Sequence, residues 1–198
     1  SVGFEKLGLN RGDRVTLQVN KSVEVIFIYL ACLRSGLIFH PLNTAYKDSE
    51  LRFFLNDAEP AVFICESTTF NNISDLNLKK KPANLFTLDS IQKLKIYEDH
   101  EILDCPDDEV AALLYSSGTT GNPKGIMLTH RNIGSNSKTL SECWNFHEND
   151  CLLHALPIYH VHGLFVALGC CLLSVQKCIG WIRLIQKKLF KHYQNAQL

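Results

Sequence analysis

Long apolar runs are missing from this chain of 198 residues. The longest, Gly163–Val175, has 13 residues, fewer than the ~20 that a helix needs to cross a bilayer. Paired C-x-x-C spacings are also absent among the eight cysteines, so the pattern typical of structural zinc sites does not occur. The sequence therefore predicts neither a transmembrane helix nor a zinc site.

Net charge is lacking too, because 20 Lys and Arg balance 20 Asp and Glu. A neutral chain has no basic footprint, so nucleic acid is not expected as a partner. The balance is uneven along the chain: residues 151–198 hold five basic and no acidic side chains, whereas residues 1–150 hold 15 basic and 20 acidic ones. The hydrophobic fraction of 46% is typical of a globular protein.

Five of the cysteines lie in apolar runs, namely Cys32, Cys65, Cys151, Cys170 and Cys171. Such positions favour buried, reduced thiols and hence an intracellular protein. The chain starts at Ser1 without a charged and apolar leader pattern, so no targeting peptide can be identified in it.

Short β-type runs alternate with helical segments from Arg14 onward. The pattern predicts strands at 14–19, 37–42 and 61–65 and helices capped by Ser22 and Asp48. The first of these helices is apolar nearly all round, which predicts burial on every side. Strands that alternate with helices of this length predict an α/β fold with a parallel sheet flanked by helices.

The regular pattern weakens between residues 67 and 106, which are polar and rich in asparagine. We expect a surface excursion here, with the run Lys79–Lys81 in a solvated loop rather than in a binding patch.

A segment rich in glycine and hydroxyl groups follows a short apolar strand, Glu109–Tyr115. It reads SSGTTGNPKG, from Ser116 to Gly125. Its glycines allow the backbone to turn N–H groups toward an anion, and its hydroxyls and Lys124 add donors and a positive charge. Because ligands of α/β sheets bind beyond the carboxyl ends of strands, the segment predicts a cradle for a triphosphate. The spacing excludes the Walker P-loop, which requires G-x-x-x-x-G-K-[ST], and the Rossmann fingerprint.

The string LLYSSGTTGNPKGIMLTHRNI resembles the signature loop of the adenylate-forming (AMP-binding) superfamily, which includes acyl-CoA synthetases, coumarate ligases and the adenylation domains of peptide synthetases. The segments 33–46 and 153–165 are also similar to that family, and the resemblance covers roughly residues 11–174. Within the superfamily these flanking segments look closest to the malonyl-CoA synthetases, also called acyl-CoA synthetase family member three. The resemblance implies a partial large N-terminal domain of that fold, without the mobile C-terminal domain.

The resemblance implies an ATP-dependent acid–CoA ligase that forms an acyl-adenylate and then an acyl-CoA, from malonate or methylmalonate. ATP phosphates are expected at Ser116, Ser117, Gly118, Thr119, Thr120, Gly121 and Lys124, with Mg²⁺ as cofactor and coenzyme A as co-substrate. No residue is assigned as catalytic or as a metal ligand, since the family's later Tyr-Gly-x-Thr-Glu and Thr-Gly-Asp segments do not occur in this sequence.

Two histidines, His160 and His162, match the region where the family lines its acyl and adenylate pocket. We expect His160 to form part of the pocket wall and to face the second carboxylate of a malonate-like acid. Asn43 and Tyr46 have two possible roles, between which the sequence does not choose: they line the same cleft, or they make only structural contacts.

The residues His130, Arg131 and Asn132 are expected to begin a helix capped by Thr129 rather than to contact a ligand. The last segment, 175–198, departs from the family pattern. The chain is thus divided into a partial AMP-binding domain at 1–174 and a divergent basic tail. In that tail apolar residues from Ile179 onward recur at helical spacing, so one interpretation is a basic amphipathic helix of the kind that lies on membranes. The interpretation we favour is out-of-frame, intronic or alternatively spliced sequence.

Other functions stay open beside the malonyl-CoA synthetase. One is a ligase for another short- or medium-chain acid, or a coumarate-ligase-like enzyme. Another is a truncated, inactive product that binds nucleotide or a partner. The resemblance also implies fatty acid metabolism and a mitochondrial location, although no transit peptide is visible; the oligomeric state is not predicted.

Overall fold

The computed structural model describes residues 2–91, 103–116, 123–174 and 177–180. The chain divides into two compact units, residues 1–133 and residues 134–198.

A six-stranded sheet forms the centre of the first unit, with the strand order β4-β3-β1-β2-β5-β6. The strands are β1 (Arg14–Gln18), β2 (Ile38–Pro41), β3 (Val62–Cys65), β4 (Asn84–Thr87), β5 (Val110–Tyr115) and β6 (Gly125–Thr129). The first five strands pair in parallel, and β6 pairs antiparallel with β5. The predicted α/β class, with a sheet flanked by helices, is confirmed.

Helices precede β1 and follow each strand of this sheet except β5. They are α1 (Val2–Lys6), α2 (Val23–Arg34), α3 (Asp48–Ala58), α4 (Phe70–Asp75), α5 (Leu88–Ile91) and α6 (His130–Cys143), which spans the boundary between the units. The core lies on both faces of the sheet, since all four residues of β3 are fully buried and successive strand residues point to opposite faces. On one side Phe54 and Leu55 of α3 pack with Phe63 and Cys65 of β3.

Four local predictions need correction. Cys151 is exposed although its apolar run predicted a buried thiol, whereas the other four cysteines predicted to be buried are buried. The helix α2 is not buried all round, because Val23 and Phe27 are 58% and 57% exposed while only the side with Val25, Ile28, Tyr29 and Cys32 is buried. Ser22 occupies the N-cap position without a side-chain cap bond. Asp48 does not cap α3 but is its first residue; the Lys47 N–H instead donates to Glu50 Oε2 at 2.9 Å.

The excursion predicted for residues 67–106 contains regular structure in its described part. β4 pairs with β3 and is an edge strand of the sheet as described, and all four of its residues are half-buried. Half-burial weakens the alternation by which strands are identified, so the sequence pattern missed it. Lys79, Lys80 and Lys81 are exposed, as expected of a solvated segment.

The second unit has its own small sheet, in which β7 (Cys151–His154) pairs in parallel with β8 (Lys177–Gly180). A π-helical segment, His162–Leu168, runs directly into α7 (Gly169–Leu173). The prediction that a helical pattern starts at Ile179 is wrong at that residue, because Ile179 lies in β8. The rest of the predicted helix falls outside the described residues, and the division of the chain after Ser174 stays a prediction.

Candidate functional site

The glycine-rich segment is the loop of a β-hairpin. β5 and β6 run antiparallel, with Tyr115 opposite Gly125. At the neck of the loop the Ser116 N–H donates to the Lys124 carbonyl at 3.0 Å, and the Lys124 N–H lies 3.4 Å from Ser116 Oγ. The sequence pattern identified the loop but not the strand that follows it.

Of the seven residues predicted to bind ATP phosphates, the structure describes Ser116 and Lys124. Ser117, Gly118, Thr119, Thr120 and Gly121 lie outside the described residues, so their role stays a prediction. Lys124 is exposed, and within the described part of the chain its ammonium group has no ion-pair partner. It is therefore available to an anionic ligand at the neck of the loop.

Tyr115 supports the start of this loop. Its hydroxyl donates to Asp57 Oδ2 on α3 at 2.5 Å, and its ring lies 4.7 Å from that of Phe54 and 5.4 Å from that of His40 between centroids. Burial, followed by the hydrogen bond to Asp57, raises the pKa of Tyr115. The phenol is therefore protonated at neutral pH and acts as a donor.

His40, in the middle of β2, is fully buried beneath this ring. Its Nδ1 lies 2.8 Å from Thr16 Oγ1 on β1, and its Nε2 has no hydrogen-bond partner among the residues that the structure describes. Burial lowers the pKa of His40 to about 3, and the nearby Arg14 adds to this effect. The imidazole is thus neutral at physiological pH, and sequence reasoning missed it because a single histidine in an apolar strand carries no motif.

The connection after β2 contains Asn43 and Tyr46, and both make structural contacts. Asn43 Oδ1 accepts the Ala45 N–H at 2.9 Å, which forms a tight turn. The Tyr46 ring stacks on Phe54 at 4.7 Å, and Gln18 Nε2 donates to both the Asn43 and the Tyr46 carbonyls. Their role in lining a cleft stays a prediction.

The start of α6 has the structural role that the sequence suggested. Thr129 Oγ1 accepts the Asn132 N–H, and Asn132 Oδ1 accepts the Thr129 N–H, both at 3.1 Å. This reciprocal pair is a capping box. Arg131 lies 3.1 Å from Asp108 and 3.7 Å from Asp107. Burial lowers the pKa of His130.

The second unit holds the predicted pocket histidines. His160 and His162 are both exposed, and their rings stack with centroids 6.1 Å apart. They precede a buried glycine, Gly163, whose missing side chain is required: a β-carbon there would lie 2.0 Å from the Pro157 carbonyl oxygen. The pocket-wall role of His160 and His162 stays a prediction.

Side chains support the π-helical segment that begins at His162. Buried His154 donates its Nε2–H to the Gly163 carbonyl at 2.8 Å, which fixes the tautomer of the ring. Ser137 Oγ lies 3.4 Å from the Phe165 carbonyl. π-helical turns occur mostly as short stretches and often at functional sites. Sequence reasoning missed both supporting residues, since neither belongs to the H-x-H-G string.

Comparisons with known proteins agree with this architecture. A sequence model of the AMP-binding enzyme family matches residues 1–194. The chain is 30% identical over 193 residues to the mitochondrial malonate–CoA ligase ACSF3 of Xenopus laevis, a match that covers 93% of this chain and 33% of that relative. It is 31% identical over 172 residues to an oxalate–CoA ligase of Arabidopsis thaliana, with 81% of this chain and 33% of that relative covered.

Among solved structures, ATP-bound MatB from Rhodopseudomonas palustris superimposes with a TM-score of 0.89 at 39% identity, and the match covers 96% of this chain and 39% of that chain. This chain belongs to the AMP-binding enzyme family, and the resemblance predicted from its loop is confirmed. It spans about a third of the length of the curated relatives named above. In the described part of the chain no helix is long and apolar enough to cross a membrane.

Proposed function

We propose that this chain forms part of an ATP-dependent acid–CoA ligase in which the loop Ser116–Lys124 binds the phosphates of ATP. The observation that carries the proposal is the hairpin neck: hydrogen bonds between Ser116 and Lys124 close the loop at the carboxyl end of β5 and leave the Lys124 ammonium exposed. A positive charge held at a fixed neck stabilises charge that develops on phosphate oxygens.

The reaction has two steps. A carboxylate oxygen of the acid attacks the α-phosphorus of ATP, and the bond from that phosphorus to the oxygen of the β-phosphate breaks. Pyrophosphate leaves, and an acyl-adenylate remains. The coenzyme A thiol then gives up its proton, and its sulfur attacks the acyl carbon. The bond from that carbon to the bridging oxygen breaks, and AMP leaves with this oxygen, which came from the carboxylate. Lys124 would hold the departing pyrophosphate and spread its charge, which lowers the barrier of the first step.

Magnesium would add positive charge to the ATP phosphates. The described residues contain no group of three His, Cys, Asp or Glu side chains placed to hold a metal ion. No protein ligand set for magnesium is therefore assigned, and no step depends on one.

Malonate, or methylmalonate, is the acid we favour. The Xenopus relative is a malonate–CoA ligase, and the two exposed histidines beside Gly163 supply donors for a second carboxylate. The similar identity to an oxalate–CoA ligase supports another short dicarboxylate as the second candidate. The name of the Xenopus relative also supports a mitochondrial location.

ATP–pyrophosphate exchange by the complete gene product tests the function. Exchange that depends on malonate is the expected result, with oxalate, methylmalonate and fatty acids as competitors. In a Lys124→Ala variant the KM for ATP should rise roughly 10–100-fold, the range expected when a hydrogen bond to a charged group is lost. The matched control is Lys138→Ala, an exposed lysine on α6. Equal ATP use by wild type and Lys124→Ala would contradict the loop assignment.

A second experiment tests the acid site. His160→Ala should raise KM for malonate and leave KM for ATP unchanged, and His147→Ala, at an exposed histidine far from the H-x-H-G string in sequence, is the control. Unchanged malonate kinetics in His160→Ala would remove that residue from the pocket. The alternative of an inactive nucleotide-binding product predicts that ATP raises the melting temperature of the 198-residue chain without any thioester being formed.

A further inference from the structure

Tyr115 joins three parts of the first unit. It is the last residue of β5 and directly precedes Ser116 at the start of the loop. Its ring packs against Phe54 of α3 and His40 of β2. Its hydroxyl points to α3, where it donates to Asp57 Oδ2 at 2.5 Å. The residue that directly precedes the loop is thus hydrogen-bonded to a helix elsewhere in the sequence.

The same ring also contacts the far end of the loop. Gly125, the first residue of β6, lies opposite Tyr115 in the hairpin. A β-carbon at Gly125 would lie 3.5 Å from Tyr115 Cε1 and 3.6 Å from Cζ, so the ring covers the backbone at this point. One side chain therefore holds both strands of the hairpin at the loop neck.

We propose that the Tyr115–Asp57 hydrogen bond positions the phosphate loop: it fixes the hairpin neck to α3 and thereby sets the affinity of the loop for polyphosphate. The inference rests on the proposed function. Tyr115 is a positioning residue, since its hydroxyl is directed at Asp57 and acts on ATP only through the loop.

The physical basis is preorganisation. A loop neck that is already fixed to α3 holds Ser116 and Lys124 in place before ATP binds, so less conformational entropy is lost on binding and the affinity is higher. Hydrogen bonds to carboxylates are stronger than neutral ones. The bond borders an open pocket of about 420 Å³, lined among others by Arg14, Asp57, Tyr115 and Met127. Because water reaches this pocket, we expect an effect of about tenfold, at the low end for such bonds.

The test uses Tyr115→Phe in the complete gene product, which keeps the ring and removes the hydroxyl. KM for ATP should rise about tenfold, while KM for the acid and the inhibition constant of AMP should change less than about twofold. AMP lacks the β- and γ-phosphates, so it reports the rest of the nucleotide site. A general loss of structure would weaken ATP and AMP alike.

A double-mutant cycle isolates the bond itself. Asp57→Ala should raise KM for ATP as much as Tyr115→Phe, and the double variant should be no worse than either single one, because both remove the same interaction. Asp57→Asn, which keeps an acceptor, should recover part of the affinity. The controls are Tyr29→Phe, which removes a buried hydroxyl from α2, and Glu59→Gln, which changes an exposed carboxylate two residues from Asp57.

The outcomes separate this inference from the proposed function. If wild type exchanges pyrophosphate and Tyr115→Phe has unchanged KM for ATP, the positioning role is overturned and the ligase function stands. The positioning role is also overturned if Tyr115→Phe weakens the binding of ATP and AMP equally, or if the effects of the two substitutions on KM for ATP are additive in the double-mutant cycle. If wild type neither binds nor uses ATP, both proposals fail together.

Discussion

Gly163→Ala is the substitution for which the structure makes the sharpest prediction. The new β-carbon would lie 2.0 Å from the Pro157 carbonyl oxygen and 2.8 Å from its carbon, both backbone atoms. Ordinary contacts of a β-carbon begin at 3.4 Å, so the backbone at Pro157 or at Gly163 must move by about 1.4 Å. A backbone carbonyl cannot rotate away as a side chain does.

The magnitude follows from overpacking and from a lost hydrogen bond. Inserting atoms into a packed site costs about 1–3 kcal/mol. A shift of Gly163 also disturbs the 2.8 Å bond from His154 to its carbonyl, and an unsatisfied buried polar group costs about 1–3 kcal/mol more. We therefore expect the free energy of unfolding of the second unit to fall by about 2–6 kcal/mol. With a urea slope of about 2 kcal/mol/M, the midpoint should fall by about 1–3 M.

Urea unfolding followed by far-UV circular dichroism measures this change. The matched control is Gly134→Ala on α6, where an added β-carbon meets no atom within 4 Å; alanine there should stabilise the helix by ~0.5–1 kcal/mol. Gly169→Ala is intermediate, because its β-carbon would meet the movable Ser137 Oγ at 2.5 Å, and Ser137→Ala should relieve that clash. Gly163→Ala with a midpoint equal to that of wild type would refute the steric argument.

Two further predictions concern protonation. The pKa of His40 is lowered to about 3 in the folded state, whereas its unfolded value is about 6.5. As the pH falls, the unfolded state therefore binds a proton before the folded state does. The contribution of His40 to the free energy of unfolding should be constant above about pH 6.5 and should decrease between about pH 6.5 and pH 3. Urea unfolding at several pH values measures this dependence. In a Thr16→Val, His40→Leu double variant the free energy of unfolding should depend less steeply on pH than in wild type. Identical pH dependences would contradict the lowered pKa of His40. Iodoacetamide at about pH 8 should modify the exposed thiols of Cys143, Cys151 and Cys178 before the buried ones. Burial raises the pKa of Cys32 and raises that of Cys171 to about 11, so mass spectrometry should find both unmodified until the chain unfolds. Early labelling of Cys32 would argue against its burial.

The sequence predicted the parts of the fold that depend on strong local patterns. Alternating and apolar runs identified β1, β2 and β3, and Thr129 as a cap made the start of α6 recognisable. β4 was missed because a half-buried edge strand has neither alternation nor a continuous apolar run. The cap of α3 was misplaced by one residue, since Glu50 acts on Lys47 through its side chain and leaves Asp48 inside the helix.

For the candidate site the motif located the loop, but not what holds it. The hydrogen bond from Tyr115 to Asp57 joins residues 58 positions apart, and no periodicity in the sequence connects a strand end to a helix end. His154 was similarly hidden, because its partner is a backbone carbonyl and any residue type can supply one. Contacts of this kind depend on the topology, which a single sequence does not specify.

The strand order has a consequence for how the chain folds as it is synthesised. β1, β2, β3 and β4 lie together in the sheet, so they can pair while the later residues are still in the ribosome. β5 does not extend that sheet beyond β4; it adds to the opposite edge, where Ala112 pairs with Phe39 of β2. The β5–β6 hairpin has local contacts and forms quickly, whereas its docking on β2 must close a long loop. Until that step is complete, the edge of β2 is open to pairing with another chain. Slowing translation once the β5–β6 hairpin has emerged from the ribosome should therefore raise the yield of folded protein more than a pause placed before β5 is made.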